Sequence, residues 1–140
     1  GRKWRTYIGD IFDHFNLTYE YPGGITFIHV GQFCTFHDSS EQILGSDSTF
    51  SNPPGGEALK ITGKNAWEWT AEDDANVNEW EAFIESVRSG PPRADAEHGA
   101  DSTFTTVLGR EAAYRREALE WKKLWEENQK LEPRTYADAM

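Results

Sequence analysis

The chain has 140 residues and 16.0 kDa, the size of one domain, and its 6 Trp, 5 Tyr and 8 Phe exceed what disordered chains carry. Its 24 acidic against 14 basic side chains leave a net charge of −10, which repels polyanions and excludes nucleic acid and anionic membrane surfaces as partners. The single cysteine, Cys34, excludes an internal disulfide or a multi-thiolate metal centre, and no apolar run approaches the roughly 20 residues of a membrane span.

The first half reads as strands. Over residues 15–21, Phe15, Leu17, Tyr19 and Tyr21 alternate with Asn16, Thr18 and Glu20, the period-two signature of a half-buried strand. Pro22-Gly23-Gly24 then sets a hairpin turn, which predicts an antiparallel partner over 25–36. That second run carries apolar groups at both parities, Ile25, Phe27 and Phe33 at one and Ile28, Val30 and Phe36 at the other, so a strand covered on both faces is expected. Gly31 inside it predicts a bulge or a close backbone approach. Shorter strands are expected at 41–44, 49–50, 59–61 and 66–69, broken by Gly45-Ser46-Asp47, a Pro-Gly loop at 51–56 and Gly63-Lys64-Asn65.

From residue 76 the period changes. Val77, Trp80, Phe83, Ile84 and Val87 recur every three or four residues, which predicts an amphipathic helix over 76–89 with Asn76 and Glu79 as a capping box and Gly90-Pro91-Pro92 as its stop. A second helix is predicted over 95–114, burying Ala100, Phe104, Val107, Leu108 and Ala112, with Gly99 and Gly109 permitting close packing on a sheet. The segment 115–130 mixes both charge signs around Trp121 and Trp125, which reads as a docking face rather than a membrane helix. Strands followed by helices imply an α+β domain: an open, predominantly antiparallel sheet with helices packed on one face and the other face available for oligomerisation.

Three blocks resemble one family. Gly9-Asp10-Ile11-Phe12-Asp13-His14-Phe15, leading into Tyr19-Glu20-Tyr21-Pro22-Gly23-Gly24, is similar to its strand-and-hairpin opening, and the run from Glu81 to Pro92 to its late helix ending in Ser-Ile-Arg-Ser-Gly. Asp101-Ser102-Thr103-Phe104-Thr105-Thr106-Val107-Leu108-Gly109-Arg110-Glu111-Ala112-Ala113-Tyr114 resembles a third motif in the same order. The family is that of glucose-fructose oxidoreductase and inositol dehydrogenase (Gfo/Idh/MocA), NAD(P)-dependent sugar and cyclitol dehydrogenases. The resemblance implies that residues 1–132 form the C-terminal substrate-binding and oligomerisation domain; the terminal residues 133–140 are expected, as a chain end, to form a flexible tail. The resemblance also implies a second helix ending near Tyr114, and a short segment from Glu117 to Trp121 before a last helical turn.

The family's dinucleotide-binding domain, with its Gly-x-Gly-x-x-Gly turn, its catalytic Glu-Lys-Pro lysine and its Asp- and His-bearing helix, has no counterpart in these 140 residues. The chain is therefore expected to hold no cofactor, NAD or NADP belonging to the full-length enzyme, and to be inactive alone. Its expected partners are that missing domain, a sugar or cyclitol substrate, and further copies of itself through Ile25, Phe27, Ile28, Val30, Phe33 and Phe36. The cytoplasm is the expected compartment, with an exported parent enzyme as the alternative.

Polar groups on segments that the resemblance places near the interdomain cleft are Arg2, Arg5, Asp13, His14, Gln32 and His37, the expected substrate-side set. Asp13 and His14, as neighbours on a strand, should point to opposite faces and form no dyad with each other. Cys34 and His37, three apart in a strand, should likewise diverge, which leaves Cys34 as a buried small thiol. His14, His29, His37 and His98 show no ligand spacing, so no metal site is expected. Trp67 and Trp69 share a strand face, suited to packing under a helix or a partner, or to stacking on a sugar. A free-standing protein- or sugar-binding module built on the same sheet is the competing reading. A small lyase or hydrolase using Asp13, His14 and His37 is a third.

Overall fold

The structure, a computed structural model, describes residues 1–4, 9–34, 37–54, 58–70, 74–92 and 94–130. Six strands form one open antiparallel sheet in which every strand lies beside its predecessor: β1 (His14–Tyr21), β2 (Ile25–Phe33), β3 (His37–Leu44), β4 (Ser48–Asn52), β5 (Leu59–Gly63) and β6 (Trp67–Trp69). The β1–β2 turn has the expected chemistry, Gly23 and Gly24 both adopting positive φ at 84° and 78°. Its register pairs Tyr21 with Ile25 and His14 with Gln32. Three helices follow, α1 (Ala75–Arg88), α2 (Ala96–Arg115) and α3 (Trp121–Glu127), and the fold is α+β with an unclosed sheet.

Two expectations about β2 are corrected. The run predicted to reach residue 36 ends at Phe33, and His37 opens β3, which starts four residues earlier than its apolar residues suggested. The polar half of β3, His37-Asp38-Ser39-Ser40, has no alternation to read, and it is a strand because it pairs with β2. Gly31 makes no bulge either: it pairs regularly with Phe15 and Ser39, and what approaches it closely is the His29 imidazole.

The register sorts the side chains into two faces. The inner face holds Phe15, Leu17, Tyr19 and Tyr21 of β1 with Ile25, Phe27, His29 and Phe33 of β2, and continues through Ile43, Phe50, Ile61 and Trp67. The outer face is mostly polar, with Asn16, Thr18, Gln32, Ser40, Gln42, Thr49, Lys60 and Glu68 around Ile28 and Val30.

Helix α2 packs on the inner face over β1. Gly109 is buried there, and a Cβ at this position would stand 2.0 Å from Tyr19 Oη and 2.7 Å from Leu17 Cδ1, so only glycine allows the helix this close. The Tyr19 hydroxyl donates to the Thr105 carbonyl at 3.2 Å. Of the expected α2 core, Phe104, Val107, Leu108 and Ala112 are half-buried, whereas Ala100 is exposed and Gly99 contacts nothing beyond its own helix. Arg116 in left-handed conformation ends α2 beside the expected residue 114, and α3 folds back with Leu124 buried. Trp121 and Trp125 set their edges on the Phe104 ring at 4.7 and 4.9 Å, so this segment docks on its own chain.

Helix α1 departs from expectation in two ways. Its N-cap is Asp74, whose carboxylate accepts from the Asn76 amide at 2.8 Å, rather than Asn76 itself. It also packs against no other element among the described residues: Trp80 is 64% and Val87 71% exposed, so the stripe that predicts the helix is not covered by the sheet. Among the described residues only α2 covers the inner face, at its β1 edge, and neither side of β2 is fully shielded: Ile25, Val30 and Phe33 are exposed. Trp67 and Trp69 also stand exposed on β6 rather than under a helix. No helix among the described residues is long and apolar enough to cross a membrane.

Candidate functional site

The start of β1 is tied down on three sides. Arg2 forms an isolated antiparallel bridge to His14, its amide donating to the His14 carbonyl at 2.8 Å and its carbonyl accepting from the His14 and Asp13 amides at 3.0 Å. On the β2 side, the Phe33 amide donates to the Asp13 carbonyl at 2.8 Å. From α2, the Tyr114 hydroxyl accepts the Phe12 amide at 2.8 Å while the two rings stack 4.2 Å apart.

Asp13 sits buried at this junction. Its carboxylate accepts the Trp4 amide, at 2.9 Å on Oδ1 and 3.1 Å on Oδ2, and its Oδ1 lies 2.6 Å from His14 Nδ1. The expectation that these neighbours diverge is thus overturned. Alternation applies within a strand, and Asp13 lies in the bend before β1 begins, where its side chain is free to turn toward its neighbour. A carboxylate on Nδ1 fixes the proton there and leaves Nε2 of the neutral ring as an acceptor. With its side chain one-third exposed, His14 is an oriented base that a ligand can reach.

The antiparallel register sets Arg2, His14, Gln32 and Asp38 side by side across the sheet, at the roughly 4.8 Å spacing of adjacent strands. Four of the six expected substrate-side residues, Arg2, Asp13, His14 and Gln32, therefore come together. Arg5 lies outside the described residues. His37 does not join the row: it opposes Phe33, one residue out of step, on a different strand from the one expected. Asp38 and Tyr114 went unread because cross-strand register and a helix 102 residues away place them, and neither leaves a local pattern.

Cys34 follows the last residue of β2 and is half-buried rather than buried, so the strand argument separating it from His37 does not apply. Among the expected interface residues, Phe27 stacks on Tyr19 at 5.4 Å, Ile28 and Val30 lie on the outer face, and Phe36 is outside the described residues. No group of three or more His, Cys, Asp or Glu side chains among the described residues is placed to hold a metal ion.

Comparison with family models, curated proteins and solved structures finds no match to this chain.

Proposed function

We propose that this chain is the substrate-side and oligomerisation domain of an NAD(P)-dependent sugar or cyclitol dehydrogenase of the Gfo/Idh/MocA type, not catalytic without a dinucleotide-binding domain. The observation that carries this reading is the oriented imidazole of His14, flanked by Arg2 and Gln32 at one end of an open sheet. A polyol offers hydroxyls that donate to His14 Nε2 and accept from guanidinium and carboxamide, so the row suits a neutral polyhydroxylated ligand. The order of the three resembling blocks, strand and hairpin first and two helices last, agrees with the order of β1, β2, α1 and α2.

In this reading the dinucleotide belongs to the missing domain. Gly23 and Gly24 turn between two antiparallel strands, whereas a pyrophosphate cradle needs a glycine turn from strand into helix.

Titrating isotope-labelled chain with myo-inositol and with D-glucose, followed by NMR, tests the reading. Saturable shifts at His14 or Gln32 that are lost in His14→Gln without a change in melting temperature are expected, with no saturable NAD or NADP binding by calorimetry. Absence of any saturable polyol shift, or micromolar binding of the nucleotide, overturns it.

A further inference from the structure

Strand β1 begins at His14 although its ladder does not run out there: Phe33 on one flank and Arg2 on the other both bond to Asp13 as well. What departs from a strand is the direction of those bonds. In a ladder the amide and carbonyl of one residue point to the same neighbouring strand. The Asp13 carbonyl accepts the Phe33 amide on the β2 side at 2.8 Å, whereas the Asp13 amide donates to the Arg2 carbonyl on the other side at 3.0 Å. The Arg2 carbonyl therefore serves two successive amides, those of Asp13 and His14. This reversal is the bend at Asp13, and it turns the carboxylate onto the His14 ring instead of toward the opposite face of the sheet.

The amide before it is drawn out of the sheet altogether. Phe12 N–H donates to the Tyr114 hydroxyl in the last turn of α2, 2.8 Å away, and the two rings stack at 4.2 Å with 9° between their planes. A strand running on through Phe12 would need that amide in the ladder, so the bond to Tyr114 and the continuation of β1 exclude each other.

We propose that Tyr114 is a positioning residue for His14: by holding the Phe12 amide it ends β1 at His14, and so keeps Asp13 beside the imidazole whose Nδ1 proton it fixes. Without the hydroxyl, β1 extends through Asp13, alternation carries that side chain to the face opposite His14, and Nδ1 loses the carboxylate 2.6 Å away. The proton then exchanges between both ring nitrogens, and Nε2 accepts only part of the time. The acceptor at the site is thus set from a helix 102 residues along the chain.

The tautomer can be read without a ligand, by long-range proton–nitrogen NMR of the His14 ring in the full chain at about pH 8, where an ordinary imidazole is neutral. The wild type should show Nδ1–H. Tyr114→Phe, which keeps the stack and removes the hydroxyl, should show a mixture of both tautomers. Phe12→Leu, which loses the stack and keeps the amide bond, should lower the melting temperature and retain Nδ1–H. A Tyr114→Phe chain with the wild-type His14 spectrum overturns the proposal whatever its melting temperature. A Phe12→Leu chain with the same mixture as Tyr114→Phe assigns the effect to packing and overturns it too. The consequence for binding rests on the function proposed above: Tyr114→Phe should raise the myo-inositol dissociation constant read at Gln32 about tenfold, the worth of one hydrogen bond. A chain that shows the tautomer change and binds no polyol removes the proposed function and leaves the role of Tyr114 standing.

Discussion

Gly99 and Gly109 lie ten residues apart on α2 and call for opposite responses to alanine. At Gly99 a Cβ meets nothing within 4 Å, so Gly99→Ala should stabilise the chain by up to about 1 kcal/mol through helix propensity alone. At Gly109 the same gain is set against overpacking on Tyr19 and Leu17, a cost of about 1–3 kcal/mol, so Gly109→Ala should be a net loss of about 1 kcal/mol. Denaturant melts of the two variants check the signs. Tyr19, the residue that Gly109 accommodates, has a hydroxyl held above its usual titration range, by burial first and by Tyr21 second. A pKa raised on folding means that the stabilisation is complete below the unfolded value of about 10 and fades as pH rises through the folded one. Melting temperature should therefore fall more steeply above pH 10 in the wild type than in Tyr19→Phe, which at neutral pH costs about 1 kcal/mol for the lost bond to Thr105.

Among the elements, α2 and α3 are joined by rings and by one ion pair. Arg115 grips Glu127 with two bonds, of 3.1 and 2.7 Å, and this contact holds the Glu127 carboxyl below its ordinary range. A lowered carboxyl pKa gives stability that is present above the ordinary value and is lost as pH falls through the folded one. The near-ultraviolet circular dichroism of Trp121 and Trp125 against Phe104 should weaken in acid below the usual carboxylate range, and Glu127→Gln should reduce that dependence. How far each element was legible follows from what places it. The stripe from Val77 to Val87 and the Pro22-Gly23-Gly24 turn carry their own periods and turn chemistry, and α1, β1 and the hairpin appear where those predict. The first half of β3 carries none, because its partner strands decide it. The candidate site divides the same way: Arg2, His14 and Gln32 were each readable as polar groups, but only register sets them in one row. Asp13 and His14 meet, against the alternation expected of a strand, because Asp13 lies one residue before the strand begins.

For the whole molecule, the open sheet and the uncovered stripe of α1 leave much apolar surface facing water. The outer face presents Ile28 and Val30 amid hydroxyl and amide side chains, a composition suited to an isologous contact between copies. Repulsion from a net charge of −10 is screened beyond about 8 Å at physiological salt. Sedimentation equilibrium at micromolar concentration should return more than one chain mass, and Ile28→Asp should return one; a wild type that stays monomeric removes the oligomerisation half of the proposal.

The meander order also bears on how the chain emerges from a ribosome. Every strand pairs with the one made just before it, so all six can zip in sequence once residue 69 has left the exit tunnel. The helix that shields β1 is made only after the whole sheet: Tyr19 waits for Thr105, and Phe12 for Tyr114. At ordinary elongation rates, of roughly 5–20 residues per second, the apolar side of the nascent sheet stays uncovered for several seconds. During that interval Leu17, Tyr19 and Phe27 form a sticky surface on a tethered, half-made protein. Slowing the emergence of residues 70–115 from the tunnel should therefore increase its capture by chaperones, whereas a delay after residue 115 has emerged should not.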